Sequence, residues 1–206
     1  MKILVIDNYD SFTYNLVQYI REIVPYPVDV FRNDAIPLNE VELYDIIVLS
    51  PGPGVPSESG ITPKVIEEYH RTKSILGVCL GHQAIGEVFG GQLHNLDQVF
   101  HGVATEITVT EEDILFEGIP NPFPAGRYHS WIVQKDGLPE CLEITAEDHT
   151  KTIMALRHKE FNVRGVQFHP ESILTPDGKK ILKNFFDYAE KYQEKLFENK
   201  NRRSLA

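Results

Sequence analysis

The sequence predicts an open, mostly parallel, twisted α/β sheet with helices on both faces and antiparallel strands added at an edge. Three observations carry this reading. Apolar runs of strand length alternate with helical periodicity through the first half. The second half is richer in strand-like segments, with β-branched or alternating residues. Turn residues rather than a linker separate the segments, and there is no internal repeat.

Lys2 to Asp7 reads as a buried strand. Ser11 to Val24 reads as a helix with Ser11 as N-cap, because Leu16, Tyr19, Ile20 and Ile23 recur at helical spacing. Pro25 and Pro27 end it, and Val28 to Phe31 gives a second strand. Ile46 to Ser50 is a third, closed by the turn run Pro51-Gly52-Pro53-Gly54. Thr62 to His70 suits a helix, Ile75 to Val78 a fourth strand, and His82 to Phe89 a helix stopped by Gly90-Gly91. Thr105 to Val109, Trp131 to Gln134, Thr152 to Arg157 and Val163 to Phe168 are the expected antiparallel additions. After Asp177, an apolar stripe of Ile181, Leu182, Phe185, Ala189, Tyr192 and Leu196 marks the last helix.

The 206 residues fit one domain, with roughly 9,800 Å² of surface when folded and about 70% of the unfolded surface buried. Twenty basic against thirty acidic residues leave a net charge of −10, which disfavours a nucleic-acid partner. Two cysteines cannot build a disulfide framework. The opening reads as a strand and not a signal peptide, and no apolar stretch approaches the ~18 residues of a membrane span. These features predict a soluble, intracellular chain with reduced thiols and no membrane partner.

Gly77-Val78-Cys79-Leu80-Gly81-His82-Gln83 is the most informative segment. A buried strand enters, a helix leaves, and Cys79 sits at the junction, the pattern of a nucleophile elbow in cysteine form. The helix N-terminus favours a thiolate there, and the Leu80 N–H points where an oxyanion would grow. The alternative is a small core cysteine, which leaves the flanking glycines unexplained.

A thiol nucleophile needs a base and an orienter. Val166-Gln167-Phe168-His169-Pro170-Glu171 offers both, since Pro170 biases His169 to extended geometry, where residues two apart share a side. Glu171 can then fix the imidazole tautomer. A surface histidine beside a solvated glutamate is the alternative. The stiff Pro51-Gly52-Pro53-Gly54 loop follows a strand end, where Gly52 is the candidate second oxyanion donor; a plain tight turn is its alternative.

Cys79-x-x-His82 lacks a second ligand pair, so no metal is expected. Cys141 reads as structural. His70, His94, His101, His149 and His158 read as surface or packing residues, and Glu111-Glu112-Asp113 as a solvated turn.

Taken together and in this order, the elbow, the Pro51–Gly54 loop and Gly165-Val166-Gln167-Phe168-His169-Pro170-Glu171-Ser172 resemble the class I (triad) glutamine amidotransferases, from Lys2 to about Phe186. The opening Asp7-Asn8-Tyr9-Asp10-Ser11-Phe12-Thr13-Tyr14-Asn15-Leu16 resembles that of the glutaminase subunits of anthranilate synthase and aminodeoxychorismate synthase. The resemblance implies an amidotransferase domain over 1–197 with a polar tail at 198–206 that frays, and a fold of the flavodoxin-like kind.

It also implies Cys79 as nucleophile, His169 as general base and acid, Glu171 as orienter, and Gly52 and Leu80 as oxyanion donors. L-Glutamine would be held by Gly52, Pro53, Gly54, Gln83, Ser130 and Trp131. The ammonia would pass to a chorismate-using large subunit in a heteromeric complex, making anthranilate, aminodeoxychorismate or both. No cofactor is implied for the glutaminase half, and Mg²⁺ for the partner. Trp131 replaces a more usual leucine, and Val103 a common lysine. Residues 8–12, 96–103 and 172–175 are the expected partner contacts. The rival readings are a stand-alone γ-glutamyl hydrolase, which would not need that opening, and a non-catalytic regulatory subunit, which would not need an intact triad.

Overall fold

The computed structural model describes the backbone of residues 1–204 and the side chains of residues 1–199 and 202. In chain order the elements are β1 (Ile3–Asp7), α1 (Thr13–Ile23), β2 (Val28–Arg32), β3 (Ile46–Leu49), α2 (Thr62–Tyr69), β4 (Ser74–Val78) and α3 (Leu80–Val88). There follow β5 (Leu93–Asn95), β6 (Val103–Val109), β7 (Phe123–Arg127), β8 (Trp131–Val133), β9 (Leu142–Asp148), β10 (Ile153–His158), β11 (Val163–Val166) and α4 (Gly178–Ser204). Short 3-10 turns fill Leu38–Leu43, Pro56–Glu58 and Ile114–Phe116.

Nine strands form one sheet in the order β2-β1-β3-β4-β11-β10-β9-β6-β7. The first five are parallel and the rest antiparallel. Alternating residues of β1 explain the layering. Ile3 and Val5 enter one core with Leu16, Val17 and Ile20 of α1 and Ile181, Leu182 and Phe185 of α4. Leu4 and Ile6 enter the other, with Val65 and Ile66 of α2 and Ala84 and Ile85 of α3. A strand apolar at every position is therefore one buried on both faces. The folded surface is 9956 Å², close to the size-based expectation.

Several local readings are corrected. Ser11 does not cap α1, which begins at Thr13 with no side-chain cap bond. Asp7 instead gathers the turn, its Oδ1 accepting from Tyr9 N, Asp10 N and Thr13 Oγ1. Val163 to Val166 is no edge addition: β11 lies parallel to β4 in the middle of the sheet. Trp131 to Val133 leaves the main sheet and pairs with β5. Asp113 is buried, accepting from Leu115 N and pairing with Arg164 and Arg157, so only its two acidic neighbours are solvated. The sequence reading also passed over β5, β7 and β9. The last helix extends through 198–204, the first part of the segment expected to be a polar tail; Leu205 and Ala206 lie outside the described residues. Among the described residues, no helix is long and apolar enough to cross a membrane.

Candidate active site

Parallel pairing of β1, β3, β4 and β11 brings four strand ends to one end of the sheet. Residues 8–12, 50–54, 79 and 167–171 follow those ends, which is where open α/β sheets bind ligands.

Cys79 joins β4 to α3 with φ 52° and ψ −99°, a backbone shape rare for a residue with a side chain. The bend folds α3 back against its own strand. A Cβ on Gly77 would stand 2.4 Å from the Gly81 backbone, and one on Gly81 would stand 2.5 Å from the Leu49 carbonyl oxygen. Both glycines are thus required by close approach, Gly77 within the elbow and Gly81 against the end of β3. Cys79 N donates to Val166 O at 2.8 Å, and Gln167 Nε2 donates to the Cys79 sulfur at 3.6 Å.

Past β11, Phe168 enters the core while His169 faces the elbow. His169 N donates to Gly126 O at 2.9 Å, and Thr175 Oγ1 donates to His169 O at 2.7 Å, so the backbone there is clamped. Nδ1 lies 2.7 Å from Glu171 Oε1. The rings of Phe12 and Tyr128 close over the imidazole at centroid distances of 5.7 and 4.8 Å.

Burial opposes protonation of His169. The charge of Glu171, aided by Cys79, outweighs it and holds the imidazole pKa well above its ordinary value. Nε2, on the other side of the ring, makes no hydrogen bond to Cys79 or to any other described residue. Candidate acid–base pairs are often this loose outside a reacting complex.

Gly52 is pressed between Asn8 and Leu80; an added Cβ would lie 2.6 Å from atoms of both. Asn8 is itself tied to Ser50, Asn33 and Thr62 by side-chain hydrogen bonds. Among the described residues, neither the Gly52 nor the Leu80 N–H donates a hydrogen bond, so both remain for a ligand.

Gly52 and Cys79 open onto a cleft of about 220 Å³ lined also by Pro53, Gly54, Gln83 and Ser130–Trp131, with Val99, Phe100, His101, Tyr128 and His129 completing it; His169 and Glu171 are buried outside this lining, His169 against the Tyr128 ring. That volume lies below the ~300 Å³ where pockets for drug-sized ligands begin, and suits one amino acid. Gln83 is less free than the sequence implies. Its Nε2 donates to Trp131 O at 2.9 Å and to Gln167 Oε1 at 3.3 Å, leaving its own carbonyl oxygen for the cleft. His82 is fully buried against the Gly165 backbone, and burial pushes its pKa down to about 4. Among the described residues no cluster of three His, Cys, Asp or Glu side chains is arranged to hold a metal.

The sequence reading missed Phe12, Phe100 and Gln167 as site residues, and noted Tyr128-His129-Ser130 only as a stretch that fits the family pattern, with no role for the first two. Gln167 had a signal, because it precedes His169 by two in extended chain. Phe12 and Phe100 fall in expected partner contacts, and packing over an imidazole has no local pattern.

The profile of the family described as "Glutamine amidotransferase class-I" matches residues 4–189. This chain belongs to the class-I glutamine amidotransferases. Aminodeoxychorismate/anthranilate synthase component 2 of Bacillus subtilis is 48% identical over 187 residues, covering 90% of this chain and 95% of that one. The bifunctional protein TrpGD of Thermotoga maritima is 48% identical over 200 residues; they cover 96% of this amidotransferase and 34% of that longer chain. Among solved structures, a glutamine amidotransferase of Thermotoga maritima superposes with a TM-score of 0.76 at 14% identity, covering 92% of this chain and 97% of that one. That likeness concerns the fold of this amidotransferase alone.

Proposed function

We propose that the chain is the glutaminase component of a two-component synthase. It hydrolyses L-glutamine and delivers ammonia to a separate chorismate-using large subunit. The observation that carries the chemistry is the Cys79 elbow open to the cleft, with the buried His169–Glu171 pair at the end of the neighbouring strand and two unspent N–H groups at Gly52 and Leu80.

The Cys79 thiolate attacks the side-chain amide carbon of glutamine. The tetrahedral oxyanion is received by the N–H groups of Leu80 and Gly52, each worth roughly 10²–10³ in rate. His169, held protonated by Glu171, gives its Nε2 proton to the departing nitrogen, which leaves as ammonia. The neutral imidazole then takes a proton from water. The hydroxide attacks the γ-glutamyl thioester, glutamate leaves, and the thiolate is restored beside imidazolium. The Gly52–Gly54 loop, Gln83 and Ser130–Trp131 hold the amino acid. None of these steps calls on a metal or organic cofactor, and Mg²⁺ belongs to the partner's chemistry. A free thiolate requires a reducing compartment, which favours the cytoplasm.

The partner reading is supported by apolar side chains left exposed in the segments expected to meet the large subunit. Tyr9, Val99, Val103 and Ile173 are exposed at 49%, 67%, 44% and 91%, and Val99 also lines the cleft. The relative named for both aminodeoxychorismate and anthranilate synthase supports either product.

The test is glutamate release from glutamine by the chain alone, then with an anthranilate synthase or an aminodeoxychorismate synthase large subunit, chorismate and Mg²⁺. Stimulation by one or both, with formation of the matching product, is expected. Turnover of γ-glutamyl peptides with no response to either subunit would overturn the proposal.

A further inference from the structure

Behind the cleft lies a buried charge that the reaction itself does not use. Arg127, the last residue of β7, is fully buried and pairs through Nη1 with Asp148 Oδ2 at 2.5 Å. Asp148, at the end of β9, is held from its other oxygen by Thr150 and Thr152. Burying this pair is costly, and ion pairs of this kind are not in themselves evidence of stability.

The guanidinium also touches both walls of the cleft. Its face lies 3.7 Å from the centroid of the Phe100 ring, which belongs to the wall formed by 99–101. Its Nε donates to His129 Nε2 at 3.1 Å. Accepting at Nε2 leaves the proton of His129 on Nδ1, which donates to Trp131 O at 3.0 Å. Gln83 Nε2 donates to the same carbonyl. Two backbone bonds, Phe100 N to His129 O and Gly102 N to Arg127 O, stitch the walls together beside it.

We propose that Arg127 is a positioning residue for the substrate: through Phe100 and His129 it fixes the two walls between which glutamine is held. Burial, then the neighbouring Arg127 cation, lowers the His129 pKa to about 3, so the tautomer it imposes persists through the working pH range. Lysine can keep the charge opposite Asp148. It cannot stack a planar face on Phe100 and donate sideways to His129. The inference rests on the proposed glutamine site, and its test must separate the two.

The test is covalent capture of Cys79 by the diazoketone analogue of glutamine, followed by mass spectrometry, with iodoacetamide as an undirected thiol probe. Wild type is compared with Arg127→Lys and with the double variant Arg127→Met/Asp148→Asn, which leaves no orphan charge. The expected result is a half-saturating analogue concentration raised about ten- to a hundredfold in both variants. The maximal capture rate and the iodoacetamide rate stay within about threefold, and Arg127→Lys stays folded with a melting temperature lowered by about 2–8 °C. Half-saturation within twofold of wild type in Arg127→Lys overturns the positioning role, as does a parallel fall in both capture rates. A wild-type chain that reacts with the analogue without saturation instead overturns the glutamine site itself.

Discussion

Gln167 Nε2 donates to the Cys79 sulfur at 3.6 Å, although the two residues lie 88 positions apart in the chain. The register of β4 on β11 creates the contact: Val78 pairs with Val166, and one further step along each strand brings elbow and amide together. The amide N–H is thereby set against the atom that the proposed reaction uses as nucleophile. Gln167→Leu is expected to slow both iodoacetamide capture of Cys79 and glutamate release by about tenfold, roughly the worth of one such bond. Equal capture rates in variant and wild type would show that the amide does not tune the thiol.

The elbow stores strain at the proposed nucleophile. With φ at 52°, Cys79 occupies a region that costs a side-chain-bearing residue about 1–3 kcal/mol, part of which glycine recovers after its own entropic cost. Cys79→Ala and Cys79→Gly should both release no glutamate, yet the glycine variant should melt about 2–4 °C above the alanine variant. Calorimetry of the two checks this, and a lower melting temperature for Cys79→Gly would argue against backbone strain at the elbow.

Gly52 tests the second oxyanion donor. A methyl group at this position meets Asn8 and the Leu80 side chain at 2.6 Å, so Gly52→Ala must push the loop away from α3. The expected loss is at least about tenfold in kcat and up to 10³, with glutamine KM also raised because the displaced loop helps to hold the amino acid. Steady-state kinetics reads the split, and a change confined to KM would place Gly52 in binding alone.

The buried histidines give opposite pH signs. His82 and His129 have folded pKa values lowered to about 4 and about 3, by burial first in both cases. Their contribution to stability is full above the unfolded value near 6.5 and is lost as pH falls toward the folded values. At pH 4.5 each should already have lost about 2–3 kcal/mol. His169 is raised instead, so its contribution is full below 6.5 and declines as pH rises through its folded pKa. Urea unfolding at pH 4.5, 7 and 9 measures both limbs. A chain as stable at pH 4.5 as at 7 would contradict the neutral burial of His82 and His129.

Legibility followed locality. The first four strands, their helices and the Cys79 elbow rest on short-range patterns, and their boundaries shifted by one or two residues. The pairing of His169 with Glu171 was also local, being two residues apart in extended chain. What was not legible depends on distant partners. β9 was passed over, and its Glu143, Glu147 and Asp148 find their partners only when Arg157, Lys135 and Arg127 are folded against them. Ser11 looked like a cap because no sequence pattern says that Asp7 takes over that work. The central position of β11 follows from its pairing with β4, which its composition shares with any edge strand.

The central claim is that the Cys79 sulfur becomes covalently bound to substrate. Acid-quench the chain during turnover of glutamine, digest it, and identify by mass spectrometry the peptide carrying a γ-glutamyl group. The account predicts the thioester on the peptide containing Cys79, its absence in Cys79→Ala, and slower formation without abolition in Glu171→Gln. Glutamate release by Cys79→Ala at the wild-type rate, or an adduct on Cys141 instead, would contradict it.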